Sequence, residues 1–387
     1  MLVFHIFGTK IKKSMKIICK FLKMLYFCSV KNQFNMKNIR FILCFGVLVA
    51  CFYSCSTDVD IYAEYKDVPI IYAMLDARAD TNYVKITKAF CGTDENPINA
   101  NEVALIYDSS NYDEKLDARL YEYESTYGNH YEPTHRELVL DTITIHNKEA
   151  GVFYSPDQIL YYTAEPLLTG SNHHKYRYEL VVSKPDGDTV TALTTMVGSE
   201  DFAIVSGNVS FQMEQTDAMG SILFRADGAA GVYEVKMQFN YREHHSGQGI
   251  LNKSVSRSFG TKSLSEFTKV ESTENTYYES YSLNWLFSAL ASAIGGDTVV
   301  NPNNPNVVRY IDDFVVTISA AGDDLYYYYL ANESLESSLG GPFTAYSNIE
   351  GGYGLFSSRT TIEKRLRLSY RTQRDLYGEQ SWGFREQ

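Results

Sequence analysis

The sequence lacks the short motifs by which many enzymes are recognised. It has no Gly-x-Ser-x-Gly elbow, no glycine-rich phosphate loop and no His-Glu-x-x-His zinc motif. The histidine pairs at 173–174, in a predicted loop, and 244–245, at a predicted strand end, suit one metal poorly, because neighbours on a strand point to opposite faces, and we interpret them as solvated loop histidines. We therefore predict no catalytic residue, no metal and no cofactor. Carboxylates on distant strands can still meet in space, so a hydrolase with a non-local site is an alternative.

Acidic residues are absent from the front of the chain. No Asp or Glu precedes Cys55, whereas nine Lys or Arg do. A short positive region at Lys37 and Arg40 leads into an apolar run from Phe41 to Tyr53, then to small Ser54 and Cys55. That run is too short to span ~30 Å of hydrocarbon as a helix, but it has the length of a signal-peptide core. The order resembles a bacterial lipoprotein signal, in which the cysteine sulfur is lipidated and the chain is cut before it.

We therefore predict that Cys55 carries the lipid and is the first residue of the mature chain. Residues 1–54 are then an upstream extension plus signal peptide, with translation expected to start at Met36, and residues 55–66 are an acidic tether. Cleavage without lipidation and an uncleaved anchor are the alternatives. The alternative for residues 1–35 is that they are translated and form a long basic N-terminal region of the signal peptide.

Cysteine is scarce beyond this point. Of the six cysteines only Cys55 and Cys91 remain in the predicted mature chain, so no internal disulfide framework is expected. Cys91 has no evident base nearby, and we interpret it as structural rather than nucleophilic.

Basic residues are also few after the leader. The chain from Cys55 onwards has 26 basic and 47 acidic residues, a net charge of −21. Such a protein repels phosphate backbones, so no nucleic-acid partner is expected.

Short alternating strands recur along the rest of the sequence, which has 31 Tyr but only 2 Trp. The clearest hairpin is Tyr176 to Val197, where Pro185 and Gly187 supply a turn. We predict a mainly β protein. An immunoglobulin-like β-sandwich at 67–200 is followed by a β-rich domain at 201–387 with two or three helices, two of them near 276–294 and 323–338.

Tyrosines cluster at the predicted starts of both helices. Tyr277, Tyr278 and Tyr281 begin the first. The second carries four in succession, which cannot all face one core: Tyr326, Tyr327, Tyr328 and Tyr329. They either pack against neighbouring sheets or form a binding surface for a partner protein, peptide or sugar.

A glycine-rich stretch near the C-terminus carries a resemblance. Its residues are Pro342, Phe343, Tyr346, Ser347, Asn348, Ile349, Gly351, Gly352, Gly354 and Phe356. The pattern resembles the C-terminal signature of uncharacterised Bacteroidota outer-membrane lipoproteins classed as a domain of unknown function. The likeness extends over roughly 62 to 370, and the N-terminal third departs most from it. The glycines themselves predict a tight loop that enters a strand, with a binding role as the alternative.

The resemblance implies a cellular location and a function. It implies a protein held in the outer membrane by the lipid on Cys55, facing the periplasm or the cell exterior. It also implies a non-catalytic binding or accessory component of a TonB-dependent transporter, which captures a small ligand, peptide or glycan. A structural or adhesive cell-surface protein is the alternative.

Overall fold

A computed structural model describes residues 68–89, 110–125, 130–146, 148–149, 151, 154–155, 157–215, 217–245, 247, 249–295, 307–337, 346–379 and 382–386. Cys55, Cys91, Pro342 and Phe343 lie outside the described residues. Residues Tyr65–Gln387 form one compact unit. In the part of the chain that is described, no helix has both the length and the hydropathy needed to cross a bilayer.

The first half of this unit is built from short strands with alternating burial. They are β1 (Pro69–Leu75), β2 (Asn82–Lys88), β3 (Asp117–Ser125), β4 (Glu132–Val139), β5 (Asp141–Ile145), β6 (Gln158–Thr163), β7 (Lys175–Ser183) and β8 (Thr189–Thr195).

The second half contains longer strands and three helices among the described residues. Its strands are β9 (Ala203–Ile204), β10 (Asn208–Val209), β11 (Met219–Arg225), β12 (Val232–His245), β13 (Gly249–Ser263), β14 (Thr268–Lys269), β15 (Thr276–Ser282), β16 (Val307–Ala321), β17 (Ile349–Glu350) and β18 (Tyr353–Leu368). The helices are α1 (Trp285–Gly295), α2 (Asp323–Ser337) and α3 (Tyr370–Gly378), and Leu264–Glu266 form a 3-10 turn.

Strands β1 to β8 form a sandwich with immunoglobulin topology. One sheet has the order β1-β2-β6-β5 and the other β8-β7-β3-β4. These are the A-B-E-D and G-F-C orders of the immunoglobulin fold, with β4 added beside strand C. Inward side chains of both sheets share one core, for example Ile71 with Leu180. The predicted fold class is thus confirmed.

A buried tyrosine fixes one corner of this sandwich. The Leu168 N–H donates to the Tyr178 hydroxyl over 2.9 Å, from the connection between β6 and β7. This is the arrangement of the tyrosine corner of immunoglobulin domains, where a strand-F hydroxyl bonds backbone upstream. The same hydroxyl donates to buried Glu122 at 2.5 Å, and Arg136 bonds the same Glu122 oxygen at 2.9 Å. Burial and then this carboxylate raise the pKa of Tyr178.

Four long strands of the second half extend the first sheet of the sandwich. Strand β18 runs parallel to β1, which gives the continuous order β13-β12-β16-β18-β1-β2-β6-β5. A smaller sheet, β14-β15-β11-β9, and helix α1 share an aromatic-rich core with the extended part. The cores of the two halves meet at Met196 and Val197, which belong to the first and second core respectively.

The helix predicted near 276–294 is wrong in its first part. Residues Thr276–Ser282 are strand β15, which pairs with β11 along its whole length. Tyrosine and threonine favour strands, and this pairing overrides the helical spacing. The helix begins at Trp285, and its Leu286, Phe287 and Leu290 are buried.

A buried ion pair secures the C-terminal segment. Arg309 is fully buried, and its Nε donates to Glu243 over 2.7 Å. Its Nη1 donates to the Trp382 carbonyl at 2.8 Å, while its backbone bonds Gly383 and Arg385. The segment that follows α3 is thereby tied to strands β12 and β16.

Candidate functional site

The outward side chains of the sandwich sheet align in rows across its strands. Tyr72 on β1 lies opposite Lys85 on β2 and Leu355 on β18. One row further along, Tyr83 on β2 lies opposite Tyr162 on β6. The register therefore places aromatic side chains side by side on the face that the core does not use.

This face carries large apolar side chains although the core lies on the other side of the sheet, and near helix α2 it is itself covered, since Leu355 is only 5% exposed. A half-covered antiparallel sheet commonly alternates apolar residues inward with polar residues outward. Here Tyr72, Tyr83 and Tyr353 remain 44%, 42% and 58% exposed. The rings of Tyr83 and Tyr162 lie 6.3 Å apart. We name Tyr72, Tyr83, Tyr162 and Tyr353 the outer aromatic face.

Helix α2 borders the outer aromatic face. Burial, followed by the charge and hydrogen bond of neighbouring Tyr328, raises the pKa of Tyr72. Tyr328 is half-buried, whereas Tyr327 and Tyr329 are exposed. The Tyr327 ring also stands 5.9 Å from Tyr326. Of the four predicted binding aromatics, Tyr328 therefore joins the face directly.

A shallow cavity of about 430 Å³ opens on this face at the β1–β2 turn. Apolar side chains contribute much of its lining: Tyr72, Met74, Tyr83, Leu160 and Leu355. Polar groups complete it: Asp76, Thr81, Asn82, Lys85 and Arg359. The volume lies within the ~300–1,000 Å³ typical of small-molecule sites.

The charges around the cavity are mainly positive. Lys85 Nζ approaches the Gln158 side-chain oxygen at 3.4 Å, and no carboxylate of the described residues lies within 4.0 Å of Lys85 or Arg359. Burial, and then neighbouring Lys148, lowers the pKa of Lys85. Asp76 is engaged in the turn, where its carboxylate accepts the Arg78 N–H at 3.0 Å. The cavity therefore offers cationic groups on a protein whose predicted mature chain is strongly acidic.

The glycine-rich signature near the C-terminus forms a loop that connects the two sheets of the sandwich. The Asn348 amide accepts the Phe356 N–H at 2.9 Å and donates to the Phe356 carbonyl at 2.7 Å. Ser347 Oγ accepts the Gly354 N–H at 3.1 Å. Strand β17 then pairs with β8 and strand β18 with β1, so the loop carries the chain from one sheet to the other.

Two of the signature glycines are required by geometry. Gly354 has φ +127, and a Cβ there would lie 1.8 Å from the Ile71 carbonyl oxygen. A Cβ at Gly352 would lie 2.6 Å from the Pro69 oxygen. Gly351 has φ +82. Glycine at these positions allows β18 to lie close to β1. Two apolar residues of the signature, Ile349 and Phe356, are buried in the sandwich core.

Tyr346 links the signature to helix α2. Its hydroxyl donates to Asp324 at 2.5 Å, and its ring lies 5.8 Å from that of Tyr327. Burial and this carboxylate raise the pKa of Tyr346. The signature is thus in contact with helix α2, although the sequence alone provides no reason to connect the two.

The histidine pairs differ in their surroundings. His174 lies in a loop, 3.1 Å from a Glu124 oxygen. His244 and His245 instead belong to strand β12, where His244 packs edge-on against Tyr310 and both are half-buried. The interpretation as solvated loop histidines is therefore wrong for this pair, because β12 continues through it to pair with β16. Across the described ranges, no three His, Cys, Asp or Glu residues group closely enough to hold a metal ion.

The residues that line the cavity were not predicted from the sequence. The signal was present in β1, whose outward positions Ile70, Tyr72 and Met74 are as apolar as its inward ones. A strand with two apolar faces in a two-layer sandwich indicates a covered or binding face. Lys85 and Arg359 carried no such signal, since their proximity to the cavity depends on pairing between distant strands.

Comparisons with known proteins leave the family open. No family model matches the chain, and neither does any curated protein. Among solved structures, one match is the C-terminal globular domain of oligosaccharyltransferase from Pyrococcus abyssi, at 12% identity and a TM-score of 0.17. The match covers 80% of this chain and 52% of that one, so the chain spans about half of its length. A likeness at this TM-score supports no inference about fold or function.

Proposed function

We propose that this chain is a lipid-anchored outer-membrane protein that binds a ligand through its outer aromatic face, as an accessory to a TonB-dependent transporter. The observation that carries the binding role is the exposed aromatic face with its cavity. Large apolar side chains cluster on the solvent side of interior strands, where most half-covered sheets carry polar ones. The lipoprotein-like signal and the C-terminal resemblance support the location and the partner.

The anchor is tested by metabolic labelling with palmitate in the native host. Cys55→Ser is expected to abolish labelling, whereas Cys51→Ser, four residues upstream, is the matched control and should label normally. Equal labelling of the two variants would contradict the anchor. The accumulation of unlabelled but exported protein would instead indicate cleavage without lipidation.

The transporter is tested by cross-linking in intact membranes and affinity purification of the full-length protein. A TonB-dependent transporter should be recovered with the wild-type chain and with a Tyr370→Ala control, whose residue on α3 is 81% exposed. If no such transporter is recovered and none is encoded beside the gene, the partner is wrong while the binding face stands.

A second candidate, a structural or adhesive surface protein, draws on strand β13. This 15-residue strand forms an edge of the long sheet and carries exposed Ile250 and Leu251. Exposed edges can pair with other chains, but the lysines and arginine along β13 oppose such pairing. Detergent-resistant assembly of the purified protein would favour this candidate, and a strictly monomeric, non-adhesive protein would count against it.

A further inference from the structure

We propose that the cavity on the outer aromatic face binds a carboxylated sugar, as part of an acidic oligosaccharide. This inference rests on the proposed binding function and names the ligand class for the same face. Three properties of the cavity lead to it: aromatic rings beside a shallow opening, polar groups around its margin, and cationic side chains that pair with no carboxylate of the described residues.

The aromatic lining suits a sugar ring. One face of a pyranose carries C–H groups of slight positive charge, which stack on the negative face of a tyrosine ring. Tyr72 and Tyr83 lie on adjacent strands, each a little over two-fifths exposed. A sugar resting on these rings has its hydroxyls directed towards the margin, where Thr81 contributes a polar side chain, while the amide of buried Asn82 is bonded to the Asp76 backbone.

The cationic groups specify the charge of the sugar. Lys85 shares the cavity with Tyr72 and donates to the Gln158 side-chain oxygen, and no carboxylate of the described residues pairs with it. Arg359 enters from the opposite side, on β18. Asp76 also lines the cavity, and the neutral backbone N–H of Arg78 that it accepts does not offset its charge, so we expect the ligand carboxylate at Lys85 rather than at the turn. A carboxylate on the ligand would thus form a charge-assisted hydrogen bond at Lys85, and Arg359 would meet a second carboxylate of the oligosaccharide.

A peptide fits this site less well. Extended peptides bind sheets by adding a strand to an open edge, where backbone groups are unpaired. The cavity lies instead over β18, β1, β2 and β6, which are interior strands with partners on both sides. Only side chains are available for recognition there, and sugars are recognised through side chains.

The test is titration calorimetry on the full-length protein in detergent micelles. The probes are hexamers of galacturonate and alginate, the methyl ester of the galacturonate hexamer, maltohexaose, and hexaglutamate. Lys85→Gln and Tyr72→Ala are each expected to weaken binding of a carboxylated hexamer about tenfold or more. Lys236→Gln, at an exposed lysine on β12, and Tyr370→Ala are the matched controls and should bind as the wild type does.

Each outcome decides the proposal. Binding of a carboxylated hexamer, lost in the two variants and absent for the methyl ester, supports it. Equal binding of the ester or of maltohexaose overturns the acidic specificity, and equal binding of hexaglutamate overturns the sugar class. Binding of no probe overturns the inference, while palmitate labelling and transporter recovery still report separately on the proposed function. Arg359→Gln, at an exposed side chain, provides a second variant should Tyr72→Ala fail to fold.

Discussion

Replacing Glu243 by Gln isolates the contribution of one buried charge. The carboxylate is 5% exposed, and its partner Arg309 is fully buried. The variant keeps the shape of the side chain and an oxygen that can accept from Arg309 Nε, but it removes the charge that compensates the buried guanidinium. Breaking a buried ion pair at one end costs ~3–5 kcal/mol, because the other charge stays buried and unpaired. We expect Glu243→Gln to destabilise the protein by about that amount.

The measurement is urea unfolding followed by tryptophan fluorescence. The chain has only two tryptophans. Trp382 receives the Arg309 hydrogen bond and its ring stacks on Phe287 at 6.0 Å, so its emission reports on this region directly. With a denaturant slope of about 3 kcal/mol/M, the midpoint should fall by roughly 1 M or more.

A double variant separates the charge from the packing. Glu243→Leu combined with Arg309→Met removes both charges, and buried pairs replaced by apolar residues are often neutral. The double variant should therefore be more stable than Glu243→Gln alone. Lys115→Ala breaks the exposed pair with Asp141 and should leave the midpoint nearly unchanged. A midpoint for Glu243→Gln equal to that of Lys115→Ala, or a double variant less stable than the single one, would refute the reasoning.

Three further predictions concern the pH dependence of the Glu243 pair, the hydroxyl of Tyr178 and the glycines at 354 and 187. Burial raises the pKa of Glu243, but the hydrogen bonds from Arg309 and His245 outweigh it, and the net pKa lies below the ordinary value. Because the pKa of Glu243 is lower in the folded state, its carboxylate stabilises the fold above the unfolded pKa of ~4.3. This stabilisation is lost as pH falls through the folded pKa, and thermal melts between pH 7 and pH 3 measure the loss. Tyr178→Phe removes the hydroxyl at the sandwich corner and should cost ~1–3 kcal/mol in chemical unfolding, whereas an unchanged midpoint would deny its role. Gly354→Ala places a Cβ against backbone and should abolish folding or soluble expression, while Gly187→Ala, where the space is open, should cost about 1 kcal/mol in thermal melting.

The sandwich was predictable because its signals are local. Alternating burial in β3, β7 and β8 follows the alternation of residues in the sequence, and the turn at Pro185 and Gly187 joins β7 to β8 as expected. Gly187 adopts φ +90, the conformation for which glycine was inferred. Short-range patterns of this kind depend on neighbours within a few residues, and the sequence displays those neighbours directly.

The rest depended on pairing between distant parts of the chain. The sequence gives no sign that β18 lies parallel to β1, nearly 300 residues away, so the continuous sheet was not foreseen. Strand β15 was assigned to a helix for a related reason: its partner β11 lies some 60 residues upstream and outweighs the helical spacing. The cavity shares this origin, because three different strands supply Tyr72, Lys85 and Arg359.

The parallel pairing of β18 with β1 also explains why the signature glycines and the candidate site belong together. β18 supplies Leu355 and Arg359 to the cavity and Tyr353 to the outer aromatic face. It can lie beside β1 only because Gly354 leaves room for the Ile71 carbonyl. The described residues of the signature do not line the cavity, yet Gly354 determines where those side chains stand relative to Tyr72. A glycine-rich motif with a purely structural role can in this way accompany a binding function, since the site is assembled along the strand that the motif positions.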